Sequence, residues 1–427
     1  MGRALVIAKG SLGDIIPMYA VAQALQQRGH QVLLATQHRH LQSARRLGLQ
    51  AIPLDQPQNA VAAPAAPSAP TARTRSWISN DAFGGTEHAF RFELETLRQL
   101  TPPPDLVLGN PLALSGPLVA DHHQCPWVYG AISPIGLVSR ANPCLFPLLH
   151  GIQQASARHP LIESLSLGLV RGYSALHSLG VRREQRRMGL EQLGHPRFEG
   201  LYSRDLNLLL SSPILLGPAG ALPAPTHITG FTWLEPDFLG TARSLERALD
   251  FIEAGSPPIL YTLGGNARTQ PGRFFQESLR ASRALGKRSL IVASTQFHAD
   301  LPRAEDLHVT AYLPYSRLFP KVAALVHSGG IGTIGWALRH GLPSLLVPSA
   351  DDQFDNAQRA QARGLADVLP RRHYRAERIA RSLQALLGDD QRRARLQQVA
   401  PLLGAEQGAS AACDHLERLL LRPASFE

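Results

Sequence analysis

Short continuous apolar runs, each closed by a glycine or polar turn and followed by a helical period, recur along the chain. The first, Ala4-Leu-Val-Ile-Ala8, leads into Gly10-Ser-Leu-Gly13, after which Met18, Val21, Ala22 and Leu25 return at helical spacing. An apolar run without alternation reads as a strand buried on both faces, and Pro17 fits the first turn of the helix behind it. Gly29 ends that helix, and Gln31–Ala35 reads as a second strand. Helices are predicted near His40–Leu47 and Glu87–Leu100, with strands at Ala51–Leu54, Leu106–Leu108 and Trp127–Ala131. A long helical region from about Leu161 to Met188 then precedes the apolar Asn207–Leu210. Strands alternating with helices imply a parallel sheet with right-handed crossovers.

Two stretches interrupt the pattern. Gln56–Ala72 is almost wholly Pro, Ala, Ser, Asn and Gln, too poor in apolar surface to order itself. It reads as a mobile surface loop, with a flap over a substrate cleft as the functional alternative. Pro213–Pro225, rich in Pro and Gly, marks a domain boundary. Beyond it the alternation starts afresh at Ile259–Leu263, Leu290–Ala293, His308–Leu313, Ala323–His327 and Leu345–Pro348, and closes on amphipathic helices at Glu377–Leu387, Arg392–Leu403 and Ala409–Leu421. A chain of 427 residues accommodates two or three domains at roughly 150 residues each. The simplest account is two doubly wound α/β domains, 1–215 and 225–405.

Composition narrows the class further. At 44% hydrophobic and 18% charged residues the chain is globular. The net charge of +10 is concentrated in one local stretch only, Arg182–Arg187, which reads as a solvated helix face before a surface for anionic lipid or nucleic acid. Cys125, Cys144 and Cys413 lie far apart and support neither a disulfide framework nor a structural zinc site. No run approaches the ~18 apolar residues of a membrane span, and Ala4–Ala8 is too short for a signal peptide core. A reducing cytoplasm is the expected compartment.

In open parallel sheets ligands bind at the carboxyl ends of strands, so the strand-to-helix loops carry the candidate chemistry. His327-Ser-Gly-Gly-Ile-Gly-Thr333 lies between a strand and a helix. Its glycines let backbone N–H groups approach an anion and the helix N-terminus adds partial positive charge, which suits a phosphate or diphosphate. It is no Walker loop, since no Gly-Lys-Ser/Thr follows, and the first loop lacks G-x-G-x-x-G. Twenty residues on, Asp352 and Gln353 can accept from and donate to vicinal hydroxyls, or cap a helix starting near Phe354.

The segment Tyr312–Ala357, with Ala-Tyr-Leu-Pro-Tyr, His-Ser-Gly-Gly-Ile-Gly-Thr, Gly-Leu-Pro-Ser-Leu-Leu-Val-Pro and Asp-Asp-Gln-Phe-Asp-Asn-Ala, resembles the donor-binding signature of family-1 glycosyltransferases. Gly10-Ser-Leu-Gly-Asp-Ile-Ile-Pro17 is similar to the opening of their bacterial members, and the ending D-Q-F-D-N-A resembles that of the rhamnosyltransferases of rhamnolipid synthesis. The likeness runs from residue 1 to about 420, with 56–75 outside it. It implies a GT-B fold: two Rossmann-like doubly wound domains facing across a cleft, the N-terminal one for the acceptor, the C-terminal one for the nucleotide sugar, and a final helix, 406–427, packing back towards the first domain. It also implies inversion by direct displacement without a metal or other cofactor; the sequence holds no Asp-x-Asp.

Position by position, Asp14 matches the catalytic base, with an N-cap for a helix beginning at Ile15 as the alternative. Tyr312 and Pro314 match the nucleobase site, against a tyrosine that merely covers the sheet end. His327, Gly329, Gly330, Gly332 and Thr333 match the diphosphate loop, and Asp352 with Gln353 the sugar-hydroxyl pair. Thr262 and Gly264 align with the first donor-domain strand, where Gly265 replaces the usual Ser. Asn110 is expected to lie behind the first row of contacts. The acceptor pocket is expected from Leu112–Leu118, Ser133–Leu149 and the 56–75 loop. The implied activity is transfer of a hexose, rhamnose from dTDP-rhamnose, to a hydroxyl of a hydrophobic lipid or secondary metabolite. Rivals are a UDP-glucose-dependent enzyme acting on a carotenoid, sterol or macrolide, and a non-catalytic auxiliary protein of the same fold. Nucleotide sugar and acceptor are the expected partners, nucleic acid is not, and a peripheral contact with the inner membrane face is a further expectation. Oligomeric state is left open.

Overall fold

Buried apolar runs build two separate parallel sheets. The computed structural model describes residues 1–56, 87–139, 142, 144–146, 159–189, 194–216, 222–235, 241–264 and 271–421. The chain divides into two units: Met1–Ser211 with Pro218–Leu234 and Gln407–Glu427, and Ser212–Gly217 with Glu235–Glu406.

The first unit is built on β1 (Arg3–Ala8), β2 (Gln31–Thr36), β3 (Gln50–Pro53), β4 (Leu106–Gly109), β5 (Trp127–Ala131), β6 (Leu206–Leu209) and β7 (Thr226–Ile228). They lie in the order β3-β2-β1-β4-β5-β6-β7, with every pair parallel. The central position of β1 follows from its sequence: Ala4–Ala8 is wholly buried, pairing Leu5 with Leu33 on one side and with Val107 on the other. Helix Leu12–Gln27 covers one face through Ile15, Met18, Val21, Ala22 and Leu25. The last helix, Gly408–Leu420, joins the same core through Ala412, Cys413, Leu416 and Leu419. Gly408 is required there, because a Cβ would stand 2.3 Å from the Gly230 carbonyl oxygen. Arg28 tethers this helix at Asp414 and Glu417, 2.7 and 2.8 Å away. None of the three cysteines is in a disulfide, and burial pushes the Cys125 and Cys413 thiols up to about 12.

The second unit contains β8 (Ile259–Thr262), β9 (Ser289–Val292), β10 (Leu307–Thr310), β11 (Ala324–His327), β12 (Ser344–Leu346) and β13 (Asp367–Val368), ordered β10-β9-β8-β11-β12-β13 and all parallel. Each sheet thus has the Rossmann order 3-2-1-4-5-6 within itself, the first with one added strand. The order reverses between β1 and β4 and between β8 and β11, and those crevices are where the carboxyl-end loops part.

Several elements depart from expectation. β7 and β13 have no apolar run of their own, and each exists only by pairing with a buried neighbour, β6 and β12. The predicted 308–313 strand stops at Thr310. The helical region of 161–188 is two helices, Pro160–His177 and Leu179–Arg187, meeting at Ser178. The 57–72 part of the proline-alanine loop lies outside the described residues.

Candidate active site

At the carboxyl end of β1 the chain turns through Gly10 into helix Leu12–Gln27. Gly10 has φ +111°, and a Cβ on it would come within 2.6 Å of the Asp14 carboxylate and 2.7 Å of Leu112 Cδ1. Glycine is therefore required for both conformation and room. Asp14 is the third helical residue; its Oδ2 accepts from the Ser11 N–H at 2.8 Å and the Ser11 hydroxyl at 2.7 Å. The alternative of an N-cap before Ile15 is thereby corrected. Ser11 is the N-cap and the helix starts at Leu12, because Ser-x-x-Asp closes a capping box. Pro17 consequently sits inside the helix instead of in its first turn.

Three further groups fix this loop. Gly10 donates its N–H to Gln37 Oε1 at 3.0 Å, and its carbonyl accepts from Arg39 Nη2 at 3.0 Å and lies 3.1 Å from His40 Nε2. Burial lowers the His40 pKa, and Arg39 Nε also lies 3.1 Å from the same Nε2. Asn110, fully buried at the end of β4, donates to the carbonyls of Lys9 at 2.7 Å and Asp14 at 3.3 Å. It thus holds the main chain beneath Asp14. Sequence reasoning missed a buried network beside it, in which Lys9 Nζ and the Ser115 hydroxyl both bond Glu93, each at 2.5 Å. Residues so far apart in sequence carry no local signal. Of the expected acceptor segments, Leu112 stands beside Gly10 and Asp14, while 57–75 and parts of 133–149 lie outside the described residues.

In the second unit Thr262 and His327 are register partners at the carboxyl ends of β8 and β11. Gly264 N–H donates to Ser328 Oγ at 3.4 Å, which ties the two loops together. Gly265 lies outside the described residues. Gly330 is the N-cap of helix Ile331–Arg339, with Gly332 and Thr333 in its first turn. A Cβ on Gly330 or Gly332 would meet nothing within 4 Å, so open space stands over these α-carbons. Gly329 has φ +86°, and a Cβ there would approach the Gln353 carbonyl oxygen to 3.3 Å. The His327–Thr333 loop and the Asp352–Gln353 loop are thus packed together. Asn356, also missed from sequence, bridges them by donating to the Gly329 carbonyl at 3.3 Å and to Asp352 Oδ2 at 2.7 Å.

Asp352 precedes helix Gln353–Ala362 without a side-chain cap bond, so that helix starts one residue before the expected Phe354. Gln353 is buried, and its Oε1 accepts from Ser349 N–H, Ser349 Oγ and Ala350 N–H at 3.0, 3.1 and 3.2 Å. With its oxygen so engaged, its amide nitrogen is the end suited to a ligand hydroxyl. Asp351 holds φ +50°, a conformation that side chains rarely adopt, at this same turn. Tyr312 is half-buried two residues beyond edge strand β10, with its ring 6.1 Å from Tyr315, which stacks on Phe319 at 4.5 Å. Pro314 N-caps the turn Tyr315–Leu318.

His327 is the most constrained of these groups. It is 1% exposed, and burial pushes its imidazole down to about 3. Nδ1 accepts from the Gly329 N–H at 3.2 Å, so the neutral ring carries its proton on Nε2. Nε2 is buried with no hydrogen-bond partner among the described residues. The unfolded ring titrates near 6.5, so between pH 6.5 and 3 the unfolded chain holds a proton that the folded one lacks. This contribution is therefore full above pH 6.5 and lost as pH falls towards 3. Relative to His327→Gln, the wild-type protein is expected to lose about 1.4 kcal/mol per pH unit across that window in urea unfolding. A pH-independent difference would place the ring's titration outside it.

Comparison with known proteins gives the class first. The glycosyltransferase VinC in complex with dTDP superimposes with a TM-score of 0.66 at 22% identity, covering 99% of this chain and 100% of its own. The fold is GT-B, shared with glycosyltransferases of solved structure. More particularly, residues 290–413 match the family described as erythromycin biosynthesis protein CIII-like, C-terminal domain. O-mycaminosyltylonolide 6-deoxyallosyltransferase of Streptomyces fradiae is 26% identical, covering 97% of both chains. 4'-Demethylrebeccamycin synthase of Lentzea aerocolonigenes is 24% identical, covering 98% of this chain and 99% of its own.

Proposed function

We propose that the protein transfers a 6-deoxyhexose, rhamnose from dTDP-rhamnose, with inversion to a hydroxyl of a hydrophobic lipid or secondary metabolite. The observation that carries this reading is His327: a buried ring held neutral at the carboxyl end of β11, with Nε2–H unpartnered among the described residues, three residues before the helix whose N-cap is Gly330. A neutral N–H donor with helix-terminus amides suits the charge growing on a departing diphosphate. Thr262, Gly264, Gly265 and Thr333 would complete that contact, Asp352 and Gln353 would take the sugar hydroxyls, and Tyr312 with Pro314 would face the base. Asp14 would take the acceptor proton. The 6-deoxyallosyl relative and the dTDP-bound neighbour support a thymidine-linked deoxysugar. In this reading no metal is needed, since donors of the chain itself offset the charge.

Equilibrium binding of dTDP, UDP and GDP, with and without EDTA, tests the donor side. The expected result is strongest binding of dTDP, unchanged by EDTA, and weakened by about 1 to 3 kcal/mol in Tyr312→Ala. Failure of all three to bind would sink the proposal, and loss on chelation its metal-free form.

A further inference from the structure

Helix Pro160–His177 turns a row of leucines outward. Ser166, Ser174 and Ser178 are buried, whereas Leu161, Leu165, Leu169 and Leu176 are 55–74% exposed. Leu179 continues the outward row into the next helix. An amphipathic helix on a globular protein normally turns its leucines inward, so a leucine face of this kind marks a surface that meets apolar material. The helix is about 27 Å long at 1.5 Å per residue, which makes the row a continuous strip and not a scatter of single side chains.

The strip ends in positive charge. Arg183, Arg186 and Arg187 are exposed on helix Leu179–Arg187. Glu184, the acid within that helix, is buried and held by Arg91 through two bonds of 2.6 and 2.7 Å, with Arg187 3.6 Å away. Among residues of both helices with described side chains, no carboxylate is exposed. Among the described side chains of this face, a second copy laid along the strip would offer these arginines no exposed carboxylate. An apolar strip ending in clustered arginines has the composition of an interfacial helix on anionic lipid. No helix among the described residues is long and apolar enough to cross a membrane, so the contact lies on the surface.

We propose that the leucine face of Pro160–His177, with Arg183, Arg186 and Arg187, docks the protein on an anionic lipid surface. The inference is independent of the donor reading above. Co-sedimentation of the full chain with phosphatidylcholine vesicles, with and without phosphatidylglycerol, tests it. The expected result is binding to the anionic vesicles, weakened by high salt. L165S/L169S/L176S should lower it at least tenfold, and R183E/R186E should abolish the preference for anionic lipid. Both variants should keep the wild-type melting temperature. Absence of wild-type binding to anionic vesicles, or equal binding by the leucine variant, would overturn the proposal. So would light scattering that shows a wild-type dimer which the leucine variant makes monomeric, since the face then joins two copies.

Discussion

Asp14→Asn is expected to leave nucleotide affinity unchanged while lowering turnover by about two to four orders of magnitude. The carboxamide keeps an oxygen for the Ser11 N–H and hydroxyl, so the helix start survives the change. What it loses is the capacity to accept the acceptor's proton. Asp14→Ala serves as the control for the cap: it should cost about 1 kcal/mol in stability, which Asn should not. Near-normal kcat for Asp14→Asn with a verified acceptor would leave Asp14 as a cap only and put the base elsewhere.

His327→Leu is expected to reduce turnover by about 10²- to 10³-fold, the cost of removing one donor from a developing anion. Two substitutions separate the two ends of the ring. Asn can accept from the Gly329 N–H as Nδ1 does but does not reach the place of Nε2, whereas Gln puts an amide near Nε2. If the donor end matters, Gln should retain part of the activity and Asn should behave like Leu. Recovery by Asn and not by Gln, read as kcat in single-turnover assays, would mean that the ring serves only to hold the loop.

Much of this was legible in the chain. Ala4–Ala8 and Ile259–Leu263 are apolar on both faces, and such runs have few places to go except the middle of a parallel sheet. The loop His327–Thr333 could be read because its glycines, its strand and its helix are contiguous. The start of the first helix was misjudged because Pro17 looked like a first-turn residue, whereas the reciprocal bonds of Ser11 and Asp14 set the boundary.

By itself the sequence determined the α/β class, the two-fold recurrence of the pattern and the loops that bear the candidate chemistry, all features encoded over a few consecutive residues. Only the tertiary structure decided which distant groups meet. Asn110 beneath Asp14, Asn356 between Gly329 and Asp352, and Glu93 between Lys9 and Ser115 are each set by how strands and helices pack. The same holds for β7 and β13, which form because a neighbouring edge offers hydrogen bonds, and for the outward leucines of Pro160–His177. Periodicity shows that a helix has two faces; packing chooses which one is buried.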